Sequence, residues 1–317
     1  MRVLVASDRG VMFCNEWIKW FNARGVAYDE ILYDLDILDD YDVLLMWFIN
    51  YASLNSMEII KKAKPHIKIA MQTDDDWYDY TTNNLDIPEN YLKDLLYADL
   101  IFDCNYLTHL YLKNKGYPSA FVSVLSPKTV DVSNVKPLSY YERKKLNRGL
   151  GMIHGVKILA NQSNMINFIR RIKLKPLWIG SEWVKGNQKE GLEEGEYFPP
   201  FGHDIDYINM LNQGLIGVID NYAGVSRFCH ECALLGIPTV GTRTAYTLYN
   251  YAPELTCEYG KLDILYDKTV KLISEEEYYT SVSRRIKEKA QTFFSVEESK
   301  LRLTKTIKEF WGSIYEL

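Results

Sequence analysis

GVIDNYAGVSRFCHECALLGIPTVG, residues 217–241, packs a strand, a tight loop, a helix and the start of another strand into one short run. The apolar segment GLIGVI at 214–219 reads as a buried strand. Ala223-Gly224-Val225-Ser226 follows as a loop of small residues, and a helix runs from about 226 to 235. Gly236 and Pro238 stop that helix, since glycine suits the left-handed exit and proline has no amide to continue the ladder. PTVG at 238–241 then opens the next strand. The loop therefore sits on a helix N-terminus. Unladdered N–H groups and the positive end of the helix dipole favour an anion there. Glu231 lies about one and a half turns into the helix.

The same alternation extends in both directions. Strand readings fall at 2–6, 28–32, 41–48, 67–71, 98–102 and 120–125. Helical patterns lie between them at 12–24, 56–63, 88–97 and 106–115. Phe13, Trp17, Trp20 and Phe21 form one apolar stripe at helical spacing. A second series begins with a strand at 150–153. It continues with a helix at 157–173, strands at 176–180 and 197–201, and a helix at 205–212. Residues 264–317 are mainly helical. Such alternation requires parallel sheets covered by helices. The expected fold class is therefore α/β, with two Rossmann-like domains. Residues 127–147 carry two prolines and the basic cluster Arg143-Lys144-Lys145, and read as a linker. The expected domains are residues 1–126 and 148–295.

Composition narrows the class. Hydrophobic residues make up 47% of the 317, enough for well-formed cores rather than disorder. A formal charge of −5 argues against a general binder of nucleic acid or anionic membrane. Cys14, Cys104, Cys229, Cys232 and Cys257 are odd in number and scattered. They read as free thiols in a reducing, cytoplasmic setting. MRVLVASD reads as a first strand, not a targeting segment, and no apolar run reaches the length of a membrane span. There is no Gly-x-Gly-x-x-Gly, Walker lysine or Gly-x-Ser-x-Gly pattern, so dinucleotide oxidoreductases, P-loop NTPases and elbow-type hydrolases lack their local signatures.

Together, the acidic cluster Asp74-Asp75-Asp76-Trp77, the run Tyr97-Ala98-Asp99-Leu100-Ile101, the segment Phe201-Gly202-His203-Asp204 and residues 214–241 resemble the GT-B glycosyltransferases, especially their group-1, family-four retaining members. That family carries a glutamate, seven residues, then a second glutamate with a small residue after it. Glu231 and the following Gly236-Ile237-Pro238 match the second, while position 223 holds Ala223 where the first belongs. The resemblance implies two domains across a cleft, with a final helix, 296–317, returning to the N-terminal one. It implies donor binding by the C-terminal half and acceptor binding by the N-terminal half. The donor would be a nucleoside-diphosphate sugar (a UDP- or GDP-sugar), with retained stereochemistry and no required metal or other cofactor. The acceptor stays open among glycan, lipid, protein, small molecule and modified nucleic acid.

Candidate residues follow, each with a plainer alternative. Glu231 would accept the ribose hydroxyls; otherwise it is an exposed i,i+4 partner of Arg227. Arg227 and Lys157 would meet the charge that grows on a departing diphosphate; Lys157 could instead be a solvated lysine at a helix start. Gly224, Val225 and Ser226 would form the diphosphate loop. Gly10 would let a ligand approach the first strand-to-helix turn, or simply make a tight turn. His203 would approach the nucleobase, or help cap a helix with Asp204. Asp74 would bind the acceptor; the cluster could also be a solvated turn. Cys229 and Cys232 read as packing, since no second pair completes a zinc set. Two readings of other classes remain: a non-catalytic nucleotide- or sugar-binding protein of the same fold, and a metal-dependent GT-A-like transferase using Asp74 and Asp76.

Overall fold

Short strands such as Leu100–Asp103 and Ile216–Ile219 are buried at every position, as strands inside a parallel sheet must be. A computed structural model describes residues 2–7, 18, 21–47, 56–73, 78–79, 84–85, 89–103, 106–122, 132, 134–152, 159–179, 191–198, 204–220, 226–293 and 295–312. The chain divides into two compact units. One comprises residues 1–128 with 296–317, the other residues 129–295.

The first unit is built on β1 (Val3–Ser7), β2 (Arg24–Ala27), β3 (Val43–Trp47) and β4 (Lys68–Thr73), with the hairpin of β5 (Tyr78–Asp79) and β6 (Asn84–Leu85), then β7 (Leu100–Asp103) and β8 (Ser119–Phe121). Its six-stranded sheet is parallel throughout, in the order β2-β1-β3-β4-β7-β8. Alternate residues feed two cores. Leu4, Leu44, Met46, Ile69 and Ile101 face one side with Met57 and Ile60 of the helix Ser56–Ala63. Val5, Leu45, Ala70 and Phe102 face the other, where Leu303 and Ile307 pack. These last two belong to the helix Val296–Trp311, so the C-terminal helix returns to the N-terminal sheet.

The second unit holds β9 (Arg148–Met152), β10 (Lys175–Ile179), β11 (Tyr197–Phe198), β12 (Ile216–Ile219), β13 (Thr239–Thr242) and β14 (Thr256–Cys257). They form a second parallel sheet in the order β11-β10-β9-β12-β13-β14. Numbered within the unit, this is the doubly wound order 3-2-1-4-5-6. The order reverses between β9 and β12.

Three expectations need correction. Residues 28–32 are not a strand: the strand is Arg24–Ala27, and Tyr28–Tyr33 is a helix that buries Tyr28 and Ile31 one turn apart. The stretch read as linker contains the helix Tyr140–Leu146, opened by a capping box in which Ser139 and Glu142 bond each other's backbone amides. Tyr140 and Arg143 on this helix are buried in the second unit. Finally, the helix Tyr246–Tyr251 and strand β14 lie where no element was read.

Position 151 fixes how tightly β9 packs. The Trp178 ring lies over Gly151, and a Cβ added there would stand 2.0 Å from Trp178 Cζ3. We therefore expect Gly151→Ala to destabilise the fold by about 1–3 kcal/mol, the usual cost of overpacking. Urea unfolding should also show Trp178→Leu recovering part of that loss in the Gly151→Ala background.

Candidate functional site

In an open α/β sheet, ligands bind outside the carboxyl ends of the strands where strand order reverses. In the second unit that place lies beyond β9 and β12. Asp220 directly follows β12, and the helix Arg227–Leu234 starts a few residues later. Ser226 is its N-cap. The Ser226 side chain accepts from the Cys229 amide at 3.2 Å, and the Ser226 amide donates to Thr247 Oγ1 at 2.9 Å. The amides of Arg227 and Phe228 lie in the same first turn, ahead of the helix ladder. Ser226 is buried, whereas the Arg227 side chain is 28% exposed.

Arg227 and Glu231 do pair at i,i+4, but not on an exposed face. The Glu231 side chain is fully buried. Its Oε1 accepts from Arg227 Nε, and its Oε2 accepts from the Tyr207 hydroxyl at 2.7 Å. Tyr207 comes from the helix Asp204–Leu211. Burial, then the Glu231 charge, push the Tyr207 hydroxyl well above the usual tyrosine range, so it stays protonated and donates. A buried carboxylate needs such partners, because desolvation without them is costly. The result is one fixed arrangement: Tyr207 holds Glu231, and Glu231 holds Arg227 at the helix tip.

Asp220 is the second buried carboxylate here, also without exposure. Its Oδ2 accepts from Asn164 Nδ2 at 2.6 Å and its Oδ1 from the Gly260 amide at 3.0 Å. Desolvation raises its carboxyl above the usual range, and those two bonds oppose the rise. Cys229 and Cys232 are buried thiols, with Cys229 pushed up to about 12 by burial. Such thiols are unreactive, consistent with packing. Among the described residues no group of three or more His, Cys, Asp or Glu side chains could hold a metal ion. No described helix is long and apolar enough to cross a membrane.

Of the residues singled out from sequence, Ser226, Arg227 and Glu231 are brought together in one helical stretch. Gly10, Asp74, Lys157, His203, Gly224 and Val225 lie outside the described residues, as does Asp76. Tyr207, Asp220 and Asn164 were not anticipated. Asp220 had a faint signal, as the first charge after an apolar strand. Tyr207 had none, since its partner is 24 positions away.

No protein-family model matches the chain, and no curated protein sequence does. Solved structures do match, across the whole chain. Anabaena Alr3699/HepE in complex with UDP superposes with a TM-score of 0.69 at 11% identity, covering 98% of this chain and all of its own. An alpha-glucosyltransferase in complex with UDP and a 13-mer DNA containing an HMU base gives 0.62 at 12%, covering 97% and 99%. The fold is GT-B. A putative UDP-N-acetylglucosamine 2-epimerase from Listeria monocytogenes also matches, at 0.55 and 12%, covering 98% and 89%. At these identities the likeness concerns the fold, and one fold serves more than one chemistry.

His230, beside Glu231 on the same helix, gives a pH test of the packing. It is buried, and its Nδ1 lies 2.7 Å from the Tyr251 hydroxyl. Desolvation lowers its pKa from 6.5 to about 4. Between those values the unfolded chain binds a proton that the folded chain refuses. The contribution of His230 to stability is therefore complete above pH 6.5 and declines as pH falls towards 4, by ~3 kcal/mol. Urea unfolding at pH 7 and pH 4.5 should show a smaller loss for His230→Gln than for the parent. Equal losses would assign the acid sensitivity elsewhere.

Proposed function

We propose that the chain is a glycosyltransferase that moves a sugar from a nucleoside-diphosphate sugar to an acceptor. The supporting observation is the placement of a capped helix tip and a carboxylate-held arginine at the reversal point of a 3-2-1-4-5-6 sheet. That tip offers backbone amides, a helix dipole and a guanidinium to an anion. The solved structures in complex with UDP share the fold, which supports a nucleotide donor.

The chemistry follows from charge. When the glycosidic bond to the diphosphate breaks, negative charge gathers on the leaving oxygens. Cations and N–H donors already fixed there stabilise that state more than the bound donor. Arg227 is the cation with a described hold. Lys157 would add a second, with Gly224, Val225 and Ser226 lining the phosphates, Gly10 and His203 approaching the donor, and Asp74 the acceptor. Glu231 would accept the ribose hydroxyls. Transfer would be retaining and independent of metal, in a reducing compartment. The acceptor class is open, and the DNA bound by one structural neighbour is that protein's own.

Turnover of a panel of UDP- and GDP-sugars in the presence of a chelator tests this reading. Donor hydrolysis or transfer without metal supports it, whereas loss of activity on chelation would favour a metal enzyme using Asp74 and Asp76. Nucleotide binding without turnover would favour a binding protein. Arg227→Ala should lower kcat per folded enzyme about 100-fold or more, and should lower Tm as well, since it takes a partner from the buried Glu231. Glu231→Ala should weaken nucleoside-diphosphate affinity by about 1.5–3 kcal/mol, read by calorimetry.

A further inference from the structure

Asp220 has no part in the chemistry above, yet it is wholly buried at the carboxyl end of β12. Two other segments meet on it. Asn164, which donates to Oδ2, stands on the helix Leu159–Arg171 that follows β9. Gly260, which donates to Oδ1, belongs to the turn that follows β14. The clamp is braced on each arm. The Asp220 amide donates to Met165 Sδ at 3.2 Å, so the helix after β9 is held twice. On the other arm, the Arg243 amide donates to the Cys257 carbonyl at 2.8 Å, and Arg243 pairs with Glu258. Gly260 reaches its position with φ of +72°, although a side chain there would meet open space. Glycine is therefore used for its backbone angle, which aims the amide at Asp220.

A carboxylate without exposure is a poor ligand for an anion, so direct contact with a diphosphate is not its role. We infer that Asp220 is a positioning residue for donor binding. By tying the end of β12 to the helix Leu159–Arg171 and to the turn after β14, it sets the floor beneath the nucleotide before the nucleotide arrives. The inference rests on the nucleotide-sugar reading of this site. Preorganisation of this kind lowers the ordering cost of binding and acts equally on donor and transition state. Its loss therefore appears in KM rather than kcat.

The test uses the full chain, with Asp220→Asn and, independently, Asn164→Ala. UDP and GDP binding is measured by calorimetry, and donor KM and kcat by turnover. Both variants should bind nucleoside diphosphate about tenfold more weakly. Donor KM should rise by a similar factor, while kcat stays within about twofold. The double variant should be little worse than Asp220→Asn, because both changes break one clamp. A fall in kcat at constant KM would mark loss of folded enzyme and overturn the inference, as would unchanged nucleotide affinity in Asn164→Ala. If Asp220→Asn does not fold, Asn164→Ala alone decides. If the parent binds neither nucleotide, the nucleotide-sugar reading falls too; if the parent binds and both variants match it, only the role of Asp220 falls.

Discussion

A guanidinium buried behind the helix Arg227–Leu234 holds the second unit together. Arg143 is 2% exposed. It donates to the carbonyls of Leu235, Gly236 and Asn212, to Asn212 Oδ1 and to the Tyr279 hydroxyl, and no carboxylate is among these acceptors. The acceptors at Leu235 and Gly236 are the carbonyl end of that helix, where partial negative charge accumulates. One cation thus satisfies a helix end and also ties the helices Tyr140–Leu146 and Glu276–Phe293 to it. Ser226 caps the opposite end. With both ends fixed, the tip bearing Arg227 has a defined position relative to β12.

Electrostatic order at the tip follows from burial. Glu231 and Asp220 are acids placed where water cannot reach them, and each has donors: Tyr207 from another helix and Arg227 from its own for the first, Asn164 and the Gly260 amide for the second. Buried carboxylates without such partners shift towards the neutral form. Their partners come from four places in the sequence, so the tertiary fold must assemble before either acid is satisfied. That couples the shape of the region to its charge.

Much of this architecture was legible in the chain. Apolar runs marked most strands, and Gly236 with Pro238 marked the end of the central helix. Failures had local causes. YDEILY is rich in residues favoured in strands, but Tyr28 and Ile31 meet the core at helical spacing, and tertiary packing overrode propensity. The capping box from Ser139 to Glu142 was present in the sequence but was outweighed by nearby prolines and charges. At the site, spacing revealed the Arg227–Glu231 pair, whereas its burial depended on Tyr207. Contacts between distant helices leave no local trace, so Tyr207, Asn164 and the role of Asp220 were invisible until the elements were placed.

The indole resting on Gly151 has an evolutionary consequence. Neither position 151 nor position 178 can drift alone: a larger residue at the first meets the ring, and a smaller one at the second opens a void. Homologous chains should therefore keep glycine with tryptophan or exchange both together. Such a paired inheritance would let distant kin be recognised when overall similarity has decayed.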